Sequence, residues 1–277
     1  MDRDWEDWLE IEQRFNGFNY NEVLQEALYS NAITGSGVNV GPNPIPLTTK
    51  WQGPDSQQMY QRNLADPVQQ NKLEQWGWTD TCISYDLNSW GFRSKDSREF
   101  KHIGSPSLIT VGCSFTFGTA LPVESIWPTL VSNELNLELI NLGVPGHGLD
   151  LSTQWLLSNG HTISNPKALV VLMPPPNRIT WVEYANREFV ASTFLMSHLQ
   201  YPSIVKNLNV NGLMHYVQNI NALDLWARSR NIPLYIISGF KGMQTDPGLA
   251  RDLQHFGVPW HEFGAHQILK RMKNVDC

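Results

Sequence analysis

Four short stretches rich in apolar or β-branched residues read as strands, near residues 107–112, 138–142, 168–173 and 233–238. Ser107-Leu-Ile-Thr-Val-Gly112 and Ala168-Leu-Val-Val-Leu-Met173 do not alternate with polar residues, the pattern of strands covered on both faces. Between and after them come stretches read as helices, near 124–136, 150–159, 210–230 and 259–272. Strands alternating with helices in this way predict a three-layer α/β domain with a mainly parallel sheet, right-handed crossovers and helices on both faces. A site in such a sheet lies beyond the carboxyl ends of the strands.

The first hundred residues read differently. Trp5, Trp8, Leu9, Ile11 and Phe15 fall on one side of an acidic helix over residues 4–15, and a second helix is expected over about 21–30. From Asn31 to Asp55 the chain is rich in Gly, Pro, Asn and Thr, as in an extended arm. Residues 57–75 are polar and glutamine-rich with some helical character, and 84–93 are expected to form a short strand and turn docked on the core. The chain is therefore divided into an N-terminal extension, 1–103, and an α/β domain, 104–277.

Composition narrows the function classes. The net charge is −6 with no long basic run, which disfavours nucleic acid and anionic membranes as partners. No stretch reaches the ~18 consecutive apolar residues of a transmembrane helix. The opening Met1-Asp-Arg-Asp-Trp-Glu-Asp7 is unlike a secretory signal, so a cytoplasmic protein, or one packaged into a virion, is expected. Cys82, Cys113 and Cys277 make no disulfide framework. His255, His261 and His266 are spaced by six and five, which does not place them on one helical face, so no metal site is expected. Of the eleven tryptophans, Trp76, Trp78 and Trp90 are candidates for stacking on a sugar, although packing is the commoner use of such rings. Residues 1–60 are a candidate surface for a protein partner or for self-association.

Chemistry enters at the ends of the apolar runs. The first ends on Gly112-Cys-Ser114, with Gly118 four residues further on, a strand–turn–helix stretch that presents a serine hydroxyl at the sheet edge. The second leads into Asn141-Leu-Gly-Val-Pro-Gly146-His-Gly148, and the third stops at Pro174-Pro-Pro-Asn177. Asp252 stands three residues before His255, just ahead of the last helix. Each has a plain reading as well. Ser114 and Asp252 can be caps, Gly146 a turn glycine, His255 a surface residue and Asn177 the end of a strand.

Taken in order, these blocks resemble the SGNH (GDSL-type) hydrolase family over about residues 105–272. The resemblance implies a flavodoxin-like sheet and a serine esterase with Ser114 as nucleophile, His255 as general base and Asp252 orienting it. It also implies an oxyanion hole made by the Ser114 and Gly146 N–H groups and the Asn177 side chain, with no metal or cofactor. Ser84-Tyr-Asp-Leu-Asn-Ser-Trp-Gly-Phe-Arg93 is similar to a segment that precedes the catalytic strand in some members. Two positions depart from the family pattern. Cys113 replaces the usual aspartate before the serine, a variant similar to members common in bacteriophage genomes. Pro175 and Arg178 replace the glycine and aspartate of the third block. Cys113 itself is read as a small buried residue, because neighbours on a strand point to opposite faces. The substrate class implied is a small acyl ester, such as an O-acetyl group on a glycan. The alternative is a structural or binding protein, such as a virion component, that keeps the fold with little activity. Acyl transfer to another alcohol would use the same residues.

Overall fold

The computed structural model describes residues 47–94, 104–175, 178–185, 188–195 and 202–273. The helices expected over 4–15 and 21–30, the first part of the arm, and Asn177 lie outside them.

The apolar runs form strands β3 (Ser107–Gly112), β4 (Glu138–Gly143), β5 (Pro166–Leu172) and β8 (Leu234–Ile237). They make one parallel sheet in the order β4-β3-β5-β8. The chain starts in the middle, steps to one edge, then returns past its start to the other side. This is the flavodoxin-like arrangement expected, and it opens a crevice at the carboxyl ends where the direction reverses. All six residues of β3 are buried.

Alternation along the strands builds two cores. Ile109, Val111, Leu169 and Val171 face a layer that holds Trp155 and Leu156 of helix α5 (Asp150–Asn159) and Leu223, Trp226 and Ala227 of helix α6 (Pro202–Ser229). Leu108, Ala168, Val170 and Leu172 face the opposite layer, with Trp127 and Val131 of α4 (Trp127–Glu134) and Trp260, Ala265 and Ile268 of α7 (Val258–Lys273). Period-two strands between two helical layers thus account for the three-layer form.

Three differences from the sequence-based expectation have physical causes. The polar stretch 57–75 is two helices, α1 (Gln57–Ala65) and α2 (Pro67–Gln75), because Asp66 caps the second and Pro67 cannot continue the first. The end of the expected arm is packed structure: β1 (Leu47–Thr49) pairs antiparallel with β2 (Tyr85–Leu87), and Gln52 and Asp55 are buried. An antiparallel hairpin, β6 (Arg178–Ala185) with β7 (Glu188–Leu195), occupies a region where no element is expected. Its sequence is dense in β-branched and aromatic residues, the signal that would have found it.

The segment 84–93 docks as expected. The Asn88 side chain accepts from the Trp90 and Phe92 N–H groups and folds the turn. Trp90 and Phe92 then meet the buried Trp155 ring edge-on, with centroids 5.8 and 5.5 Å apart.

Candidate active site

Strand β3 delivers Gly112 to the sheet edge, extended Cys113 follows, and Ser114 opens the short helix α3 (Ser114–Phe117). The turn is tight: a Cβ on Gly112 would lie 2.2 Å from Thr116 Oγ1 and 2.7 Å from the Leu172 carbonyl oxygen. As the first residue of the helix, Ser114 has an N–H with no acceptor inside the helix. Cys113 is buried, at the position that caps this helix.

The second partner comes from the loop before α7. Asp252 Oδ1 accepts the N–H groups of Gln254 and His255, both at 3.0 Å, and Leu253 between them takes a left-handed φ of 57°. The turn so formed leaves Oδ2 free to accept from His255 Nδ1 at 2.6 Å. With Nδ1 carrying the proton, Nε2 presents its lone pair to Ser114, whose Oγ–H donates to it over 2.8 Å. The Asp252 side chain is fully shielded and that of His255 is 14% exposed. Ser114 and His255 are 141 positions apart in the chain, yet with Asp252 they form one continuous hydrogen-bonded relay.

Gly146 lies in the turn after β4, exposed, with φ 79°. That turn is tied to the strand that leads to Ser114, because Val144 N–H donates to the Gly112 carbonyl at 2.9 Å. Asn141 strengthens the tie. Its Nδ2 donates to the Thr116 carbonyl at 2.9 Å, and its Oδ1 accepts from Gly143 N–H and the Thr110 hydroxyl. Asn177, named with Ser114 and Gly146 for the oxyanion hole, lies outside the described residues.

The structure corrects one reading and adds residues that the sequence did not point to. His147, in the glycine-rich loop after β4, is 2% exposed, and burial pushes its pKa down to about 4, with Asp150 opposing the effect and Arg178 adding to it. His261 is buried too and accepts the Trp127 N–H at its Nδ1. Burial, with the His255 and Arg93 charges, pushes its pKa down to about 3. Trp78 and Trp90 are packing residues, and Trp78 Nε1 donates to the Leu249 carbonyl at 2.7 Å.

Beside the Asp252–His255 loop sits a buried ion pair. Arg251, next to Asp252, donates through Nε and Nη2 to the two oxygens of Asp55 at 3.0 and 2.6 Å. Its guanidinium also reaches the carbonyls of Lys50 and Thr81 and stacks 4.3 Å from the Trp51 ring. Tyr85 donates its hydroxyl to Asp55 at 2.5 Å and accepts from Ala120 N–H. Burial, then the Asp55 carboxylate, push the Tyr85 pKa well above the usual phenol range. These pairs join residues up to 196 apart, so no local pattern announces them.

No family model and no curated protein matches the chain. Solved structures do resemble it at low identity. A lipolytic protein of the G-D-S-L family from Desulfitobacterium hafniense is 12% identical with a TM-score of 0.31, over 59% of this chain and 98% of that one. A member of the lipolytic G-D-S-L family from Veillonella parvula is 11% identical with a TM-score of 0.33, over 60% and 97%. A carbohydrate esterase with divergent catalytic and non-catalytic binding functions at its active site is 9% identical with a TM-score of 0.33, over 61% and 65%.

Proposed function

We propose that the protein is a serine carboxylic-ester hydrolase of SGNH type. The observation that carries this reading is the Ser114–His255–Asp252 hydrogen-bonded relay at the carboxyl edge of the parallel sheet. A serine hydroxyl attacks an ester only if a base takes its proton, and a neutral imidazole held by a buried carboxylate is suited to that.

In the first half-reaction Ser114 Oγ bonds to the acyl carbon while its proton passes to His255 Nε2. The C–O bond to the alcohol then breaks, and the imidazolium returns the proton to the departing alkoxide. Water repeats the sequence on the acyl-serine and releases the acid. Asp252 stabilises the imidazolium without taking its proton. The transient oxyanion is met by the N–H groups of Ser114 and Gly146, with Asn177 as third donor on the motif reading. Loss of one such donor costs about 2.7–4 kcal/mol of transition-state stabilisation. The family resemblance points to a small acyl group, with O-acetyl on a glycan as the substrate class.

The test is hydrolysis of p-nitrophenyl acetate and butyrate by the wild type and by Ser114→Ala, His255→Ala and Cys113→Ala. The first two variants are expected to fall to background and the third to keep turnover. Turnover that survives Ser114→Ala would remove this reading. A wild type no faster than Ser114→Ala on these esters and on acetylated glycans would favour a binding protein that keeps the fold.

A further inference from the structure

Next to His255 begins a cluster of aromatic rings that the hydrolytic steps do not use. Phe115, the residue after the nucleophile, meets the His255 imidazole edge-on with centroids 5.2 Å apart. It also lies 5.6 Å from Phe256 and 5.1 Å from Trp260, and those two rings are 5.4 Å apart. Phe240 backs Trp260 at 4.6 Å and presses on Gly264, where a Cβ would come within 2.1 Å of the Phe240 ring. The cluster is therefore built up from the last helix. Trp260 is buried at its base, and Phe256 stays 39% exposed at its top.

Position decides what such a surface is for. In the proposed reaction His255 Nε2 hands its proton to the departing alkoxide, so the alcohol half of the ester must come within hydrogen-bond reach of the imidazole. The acyl half is turned the other way, its carbonyl oxygen toward the backbone donors. Phe115, packed on the imidazole, thus borders the alcohol half, and Phe256, packed on Phe115, extends that surface outward. Aromatic faces favour flat apolar surfaces, and rings already packed against one another lose little freedom when such a surface arrives.

Resting on the hydrolase reading, we propose that Phe115 and Phe256, backed by the buried Trp260, form the subsite for the alcohol half of the ester, and that this alcohol carries a six-membered ring with a flat apolar face. Sugar and aryl rings share that chemistry. The acyl group contributes little to recognition on this side.

The experiment compares kcat/KM, which reports the acylation step, for acetates that differ only in the alcohol: methyl, cyclohexyl, phenyl and methyl-glucosyl. Wild type, Phe256→Ala and Phe256→Trp are measured, with melting temperatures to verify folding. The ring-to-methyl preference is expected to fall about fivefold in Phe256→Ala, the scale of one ring-stacking interaction, and to persist in Phe256→Trp. Which ring gives the larger preference in the wild type separates a sugar from an aryl alcohol. An unchanged preference, or one that follows acyl chain length in a parallel series of methyl esters, would overturn the subsite.

Methyl acetate turnover that vanishes in Ser114→Ala tests the hydrolase reading separately. If that turnover is absent, saturation-transfer NMR with cyclohexanol and methyl glucoside still reads the subsite. A transfer signal present in the wild type and abolished by Phe256→Ala supports it, whereas equal signals or none in both proteins overturn it. Dimerisation that Phe256→Ala abolishes would assign the surface to a second copy of the chain instead.

Discussion

At the residue scale, the site depends on positions with no room for a side chain. Gly143 ends β4 against the helix that carries Ser114. A Cβ there would lie 2.4 Å from the Phe117 backbone nitrogen and 2.8 Å from the Thr116 carbonyl carbon. Backbone atoms cannot rotate away as a side chain can, so Gly143→Ala must displace α3. Overpacking of this kind costs about 1–3 kcal/mol. The variant is expected to lose that stability in urea denaturation and to show a lower kcat, because Ser114 moves with the helix. A full-rate enzyme would mean that the strand end shifts in place of the helix.

At the scale of elements, the Asp252–His255 turn is held from outside by the N-terminal segment. Asp55 leads into α1, Tyr85 belongs to β2, and both converge on Arg251 or its partner carboxylate, one residue from Asp252. The Arg251 and Asp55 side chains are 3% and 1% exposed, so removing either leaves an uncompensated buried charge. Asp55→Ala is expected to cost about 3–5 kcal/mol in chemical denaturation. The paired change Asp55→Leu with Arg251→Met should recover most of that loss, because a buried ion pair gives little net stability over apolar residues of similar size. A double variant as unstable as the single would show that the hydrogen bonds to Lys50, Thr81 and Tyr85 matter more than the charge pair.

At the scale of the whole molecule, two buried histidines couple stability to pH. His147 and His261 have native pKa values of about 4 and about 3, below the ordinary histidine value of about 6.5 in the unfolded chain. Above about pH 6.5 both are neutral in either state and contribute no pH dependence. Below it the unfolded chain binds protons that the native protein excludes, so stability falls as pH drops toward 4, by up to about 1.4 kcal/mol per pH unit for each histidine. Urea midpoints are expected to fall between pH 6.5 and 4.5. His261→Asn, which keeps an acceptor for the Trp127 N–H, should flatten that slope. An unchanged slope would mean that other groups carry the acid sensitivity.

What could be read directly from the chain was local. Leu108 to Val111, apolar but for the β-branched Thr110, and the uninterrupted apolar run Ala168 to Leu172 carry the pattern of buried parallel strands. The Gly112-x-Ser114 and Asp252-x-x-His255 spacings put the reactive groups at loop ends, because turn geometry is set by neighbouring residues. The sequence alone thus determined the layered α/β form and where along the chain the reactive groups stand. Tertiary structure decided the rest. Only folding brings His255 within 2.8 Å of Ser114, pairs Asp55 with Arg251, and sets Phe115 against the imidazole with Phe256 and Trp260 packed on it. Burial of His147 depends likewise on what packs over its loop. Periodicity reports which face of an element is covered, whereas a contact between residues 141 or 196 positions apart depends on how several elements stack together.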